Sequence, residues 1–179
     1  MKNHATRHPI ALVILHWLIA ALLLLALAMG TFVLKEIPNA SPEKLGALRG
    51  HMIMGMVIGG LMLLRLLVRW RTPGPAAAST GNNTLNLLGK IAHIGLYTLV
   101  FAMAASGMAT ALQAGLPEII FGGSGAALSE NFANLIPRIV HGWIATLLVL
   151  LVGLHVVGVV YHQFVLKDRL LSRMAWDKK

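Results

Sequence analysis

The sequence predicts an all-α integral membrane protein, a single domain over residues 1–179 folded as a four-helix bundle with both termini in the cytoplasm. Three observations carry this. Of the 179 residues, 57% are hydrophobic and only 12% charged, against about 25% charged in a soluble globular domain. The apolar residues gather in four runs, each long enough for the roughly 20-residue helix that crosses a bilayer. The basic residues fall in the gaps between the runs, unevenly on the two sides.

The first span is expected over about 9–34. Lys2 and Arg7, an apolar run and Ala26-Leu27-Ala28 together resemble a secretory signal with its cleavage site. The run is slightly long for that, and cleavage would discard His16, so the segment reads as a retained span. The second span covers about 46–68. Residues 72–83, rich in Pro, Gly, Ala, Ser and Asn, form a linker to the third, about 87–113. Residues 116–137 carry Gly122-Gly123, Gly125 and two prolines, and are expected to hold a short surface helix. The fourth span covers about 138–166. Backbone groups in hydrocarbon must pair within their own segment, so all four are helices. No internal repeat or heptad pattern appears.

Direction follows from the basic residues. Lys2, Arg7, Arg65, Arg69, Arg71, Lys90, Lys167, Arg169, Arg173, Lys178 and Lys179 lie on the side of the termini. Lys35, Lys44, Arg49 and Arg138 lie on the other. The excess places the termini in the cytoplasm and makes the loops after the first and third spans external. The same distribution argues against nucleic-acid binding, which needs the formal +9 charge clustered on a soluble face. Cysteine is absent, which excludes disulfides, thiolate metal sites, cysteine-ligated iron–sulfur clusters and thioether-attached haem. Metal chemistry therefore rests mainly on the eight histidines.

Six of these fall within the spans: His16, His51, His93, His141, His155 and His162. Ionisable groups in a membrane are expensive and mark function by default. His141 and His155, 14 residues apart, sit on one face of the fourth helix, about 21 Å apart along its axis. His16 matches the cytoplasmic depth of His155, and His51 the external depth of His141. Two pairs at two depths fit two metal centres stacked across the membrane. Two imidazoles per level are too few for a closed zinc site. They suit the axial positions of a haem iron, whose other four ligands come from the porphyrin.

A macrocycle between helices needs small neighbours, and Gly55, Gly59, Gly60, Gly142 and Gly158 offer them, although small residues also serve simply to let membrane helices approach. Propionates need cations near the membrane surface. Arg49 and Arg138 are placed for this externally, Arg65, Arg69 and Lys90 on the cytoplasmic side; all could equally snorkel at helix ends. His93 and His162, near the cytoplasmic surface, suit a quinone, which needs hydrogen-bond partners and a proton donor, or equally suit interfacial hydrogen bonding. His162 falls two turns after His155, on nearly the same face. His4 and His8 read as solvated. Trp17, Trp70, Trp143 and Tyr161 read as an interfacial belt. Met52 and Met54 are conceivable alternative axial ligands.

Leu15-His16-Trp17-Leu18, Arg49-Gly50-His51, Gly153-Leu154-His155 through His162, and Lys167-Asp168 resemble the bacterial cytochrome b561 family over nearly the whole chain. The resemblance implies a dihaem b-type cytochrome of the inner membrane. His16 and His155 would ligate the cytoplasmic-side haem iron, and His51 and His141 the periplasmic-side one. The superoxide oxidase branch of the family is the nearest likeness. It implies superoxide as external electron donor and ubiquinone as acceptor, with His93 and His162 at the quinone. The external loops carry four acids against four bases, so any attraction for superoxide is local, at Arg49, Arg138 and Lys44.

Two rivals are weighed against this. A relay subunit serving a partner dehydrogenase would want a large docking surface, and these loops are short. A histidine-using metal transporter would want carboxylates in the spans or broken helices in related halves. None of the six acids lies well inside a span.

Overall fold

The computed structural model describes residues 7–175; Lys2, His4, Lys178 and Lys179, named above, lie outside the described residues. Every long apolar run is a helix, and among the described residues no strand forms. Helix α1 spans Ile10–Ala28 and continues in wide i→i+5 turns over Met29–Leu34. Helix α2 spans Pro42–Arg71, α3 Asn83–Gln113, the short α4 Leu116–Ile120, and α5 Ile136–Val160. Helix α5 also ends in wide turns, Tyr161–Val165, and a 3₁₀ helix, Leu170–Met174, follows. Four of these helices are long and apolar enough to cross a membrane.

The second and third helices begin four residues earlier than hydropathy suggests. Hydropathy marks the hydrocarbon crossing, whereas a helix continues into the headgroup region until something caps it. For α3 that is Asn82, whose side-chain oxygen accepts from the N–H groups of Thr84 (2.9 Å) and Leu85 (3.2 Å). For α2 it is Pro42 in the first turn, where its missing N–H costs nothing.

Helix α3 packs most extensively against α5, α1 packs against α2, and α2 against α3 joins the two pairs. The core is a narrow seam of Leu15, Ile19, Leu23, Ile58, Met62, Val100 and Leu148, with Leu148 wholly buried. Outside it the bundle is apolar: Leu24, Leu25, Leu150, Leu154 and Val157 are each more than half exposed. That surface is tolerable only where the surrounding medium is hydrocarbon.

The first and last described segments meet at one end of the bundle, here the terminal end. The His8 N–H donates to the Arg173 carbonyl (3.2 Å), and the Trp17 indole N–H to the Met174 carbonyl (3.0 Å). Arg173 in turn donates to Ala76 in the 72–83 linker (2.8 Å). His8, expected to be solvated, is instead half-buried in this clasp. At the far end α4 covers the bundle. Its Leu116 and Ile120 are buried, packing with Ala111, Leu48 and Met52, so it is a docked plug rather than a surface helix.

Candidate functional site: two levels of paired histidines

Helices α1 and α5 bring His16 and His155 together near the terminal end. Their ring centres are 6.3 Å apart and their planes 69° apart. Helices α2 and α5 bring His51 and His141 together near the far end, at 6.2 Å and 75°. A direct N–H···N hydrogen bond would draw ring centres to about 5 Å. A metal bridging two opposed imidazoles, about 2.0–2.1 Å from each nitrogen, sets them about 6 Å apart. Both pairs have the second spacing. Among the described residues no three His, Cys, Asp or Glu side chains gather to hold a bare metal ion. Each level thus offers a pair of imidazoles at that spacing, the number that a bis-histidine haem iron takes from protein, and at the terminal level His93 lies beside the pair.

The far-end pair is held by neighbours that the sequence did not single out. His141 Nδ1 lies 3.0 Å from Ser106 Oγ, and that hydroxyl lies 3.0 Å from the Met103 carbonyl, to which it donates. With the hydroxyl donating to the carbonyl, its oxygen accepts from His141 Nδ1–H, and the same Met103 carbonyl is also within reach of that ring. This leaves Nε2 of His141 with a free lone pair. Gly107, next to Ser106, lies against the same ring: a Cβ there would come within 3.1 Å of His141 Cε1. His51 differs, because its Nδ1 is buried and has no hydrogen-bond partner. The available signal was Ser106 and Thr110, polar residues one turn apart in an apolar span, which mark an inward face. Of the glycines expected beside a macrocycle, Gly59 faces Ala104 and Gly142 faces Arg138, whereas Gly55, Gly60 and Gly158 face open space.

The cations divide by task. Arg138 acts electrostatically on both His51 and His141. Arg49 donates to the Ile120 carbonyl and lies 6.0 Å from the Phe121 ring centre, so it also anchors the α4 plug. Lys44 is no anion attractor. It is buried, and its ammonium donates to the carbonyls of Leu34 and Ile37 (2.7 Å to the latter), capping the first span. At the terminal end Arg65 donates to the Leu12 carbonyl, and Arg65 and Arg69 both act electrostatically on His93. Met52 and Met54 pack in the two apolar clusters.

His93 and His162 have different neighbours. The His93 ring lies against His155, with centres 5.2 Å apart. His162 instead pairs through Nδ1 with Asp168 Oδ2 at 2.6 Å. His162 stands in the wide turns that begin at Tyr161, and the chain beyond them returns Asp168 to its ring. Asp168, noted in the sequence only as part of a motif, is the partner that this turn supplies.

The chain matches the prokaryotic cytochrome b561 family over residues 7–177. It belongs to that family. It is similar to cytochrome b561 homolog 2 of Escherichia coli (strain K12), at 26% identity over 96% of this chain and 93% of the relative. It is also similar to a protein of Yersinia pestis named probable superoxide oxidase CybB, at 27% identity over 92% of this chain and 93% of the relative. As a cytochrome b561 it is a multi-pass protein of the bacterial inner membrane, with b-type haem as its prosthetic group and electron transfer as its class of activity.

Proposed function

We propose that this cytochrome b561 holds two non-covalent haems b and carries electrons across the inner membrane, from superoxide at the periplasmic face to ubiquinone. The observation that carries the reading is the pair of opposed imidazole pairs, at 6.3 and 6.2 Å, one near each end of the bundle. His16 and His155 would hold one iron, and His51 and His141 the other. When bound, the haems supply one-electron redox chemistry. The basic excess on the terminal side assigns that end to the cytoplasm.

The remaining groups have defined tasks in this scheme. Ser106 and Gly107 fix the ring of His141. Arg138 and Arg49 give the far end a local positive field that attracts a small anion, and they are also the cations available to propionates there; Arg65 and Arg69 are their counterparts at the terminal end. The buried Leu148, between His141 and His155 on α5, keeps water out of the middle of the bundle. His93 and His162 offer imidazoles to a quinone headgroup near the cytoplasmic surface. The Yersinia pestis relative's name supports superoxide as donor.

Pyridine haemochromogen assay of the purified, haem-supplemented protein should give two haems per chain. His155→Ala should lose one and keep the other. Retention of both, with unaltered spectra, overturns the ligand assignment. Superoxide-driven reduction of ubiquinone by the isolated protein tests the donor and acceptor. Its absence, with haem content intact, would favour a relay role with a separate protein redox partner.

A further inference from the structure

At the terminal end of α5 the chain builds a carboxylate–imidazole dyad with unusual care. His162 Nδ1 and Asp168 Oδ2 are 2.6 Å apart, the one ion pair found among the described residues. Asp168 is fixed three ways: by the imidazole, by the Leu170 N–H on Oδ1 (3.1 Å), and by its own N–H donating to the His162 carbonyl (3.3 Å). The residues on either side of it, Lys167 and Arg169, both have φ of +55°, and they are the two non-glycine residues with positive φ among those described. Side chains rarely adopt that conformation, so the loop accepts strain on both flanks of the carboxylate. One residue beyond His162, the side-chain oxygen of Gln163 is buried without a partner, an acceptor that no protein group satisfies.

We propose that His162 and Asp168 form the proton-delivering dyad for quinone reduction at the cytoplasmic face, with Asp168 as the residue that positions the imidazole. The proposal rests on the quinone reading above and adds to it the source and route of the proton. Reducing a quinone to its hydroquinone takes two electrons and two protons. The electrons arrive one at a time from the external one-electron donor. For each proton, the Nε2–H bond of the His162 imidazolium breaks and an O–H bond forms on a quinone oxygen. Nδ1–H stays on Asp168, and water at the terminal face restores the imidazolium; two such transfers complete one hydroquinone. The side chains are 14% and 26% exposed, so the dyad reaches both the bundle and the water beyond it. Asp168 keeps the imidazole in one orientation, as a carboxylate does behind a catalytic histidine.

Of the other groups at this end, His93 lies against His155, 5.2 Å between ring centres, and has no carboxylate partner, while His8, Arg65 and Arg69 gather by the clasp. The Tyr161 ring stands edge-on to His162 at 6.4 Å. Arg173, on the 3₁₀ helix packed against this turn, is committed to the Ala76 carbonyl. Lys167 and Arg169 flank Asp168 as cations and offer no carboxylate. The buried Gln163 oxygen is free to accept from a hydroquinone hydroxyl at the same depth.

The test uses the dithionite-reduced, haem-loaded protein mixed with decylubiquinone or with ferricyanide, following haem reoxidation across pH. Asp168→Asn should leave haem content and reoxidation by ferricyanide, which takes no proton, unchanged. It should slow reoxidation by decylubiquinone by about 10²–10⁴-fold and alter its pH profile. Asp168→Glu should recover part of the rate. An Asp168→Asn protein with the wild-type quinone rate and pH profile overturns the proposal while leaving quinone binding intact. A wild-type protein that decylubiquinone does not reoxidise removes the quinone reading and the dyad with it. If Asp168→Asn fails to assemble with haem, Asp168→Ser carries the same comparison, with the same two outcomes.

Discussion

At the scale of single residues, four histidines that look alike in the sequence are not equivalent. His141 has its Nδ1 proton held by Ser106, whereas its partner His51 has a buried Nδ1 with no acceptor. A hydrogen bond at Nδ1 fixes the tautomer, orients the ring and makes the opposite nitrogen a stronger donor to a metal. In the proposed two-haem scheme that would favour the oxidised iron at the far end, tuned mainly through α5. On the two-haem reading proposed above, Ser106→Ala should therefore raise the midpoint potential of one haem and leave the other unchanged. It should also weaken haem retention at that level by roughly 10–100-fold. Ser106→Thr, which keeps the hydroxyl, should restore both. Spectroelectrochemical titration of the two haems reads this directly. Ser106 was not legible as an orienter because its partner lies on another helix, and only packing decides which small polar residue in a span meets which ring.

At the scale of elements, the ends of the spans depart most from a regular helix. Both the first and the last span finish in wide i→i+5 turns. In the first, Gly30 lies in these turns, where a Cβ would come 3.6 Å from His51 Cε1. In the last, the turns carry His162 to Asp168. The terminal clasp is a further element that hydropathy cannot show, and it contains a titratable group. Burial first, then the nearby Arg69, Arg65 and Arg173, hold the His8 imidazole below its usual 6.5. The closed clasp thus binds His8 neutral, while the opened segment takes up a proton first. Its stability is complete above that usual value and is lost as pH falls through the lowered one. The protection factors of amides over residues 170–174 should fall as pH drops below about 6.5. His8→Gln should remove that acid sensitivity, and an unchanged pH dependence would show that His8 does not control the clasp.

At the scale of the whole molecule, charge and polarity are arranged by level rather than by side. The middle is apolar within and without. The far end carries Arg49 and Arg138 near one histidine pair, and the terminal end carries His8, Arg65, Arg69 and Arg173 near the other. With Lys44 buried against carbonyls, any pull on an external anion comes mainly from the two arginines. On the superoxide reading proposed above, Arg138→Glu should lower the second-order rate of haem reduction by superoxide by about tenfold. The wild-type rate should fall with added salt while the variant's hardly changes. Stopped-flow reduction at several ionic strengths checks both. An equal rate in the variant would remove Arg138 from the entry path.

The sequence by itself determined the membrane class, the four helices, the sidedness of the basic residues and the depth at which each histidine sits. It could do so because these follow from local quantities: run length, hydropathy and rise per residue along one helix. Depth alone selected His16 with His155 and His51 with His141, since residues at one level of an antiparallel bundle have few other candidates. The tertiary structure decided what lies sideways. It placed Ser106 and Gly107 on His141, turned Lys44 inward, docked α4 as a plug under Arg49, and swung His162 onto Asp168. Those outcomes depend on helix rotation and on turns that leave α-helical phase. A shift of one residue per turn moves a side chain to a different neighbour without changing its depth, and hydropathy reports only the depth.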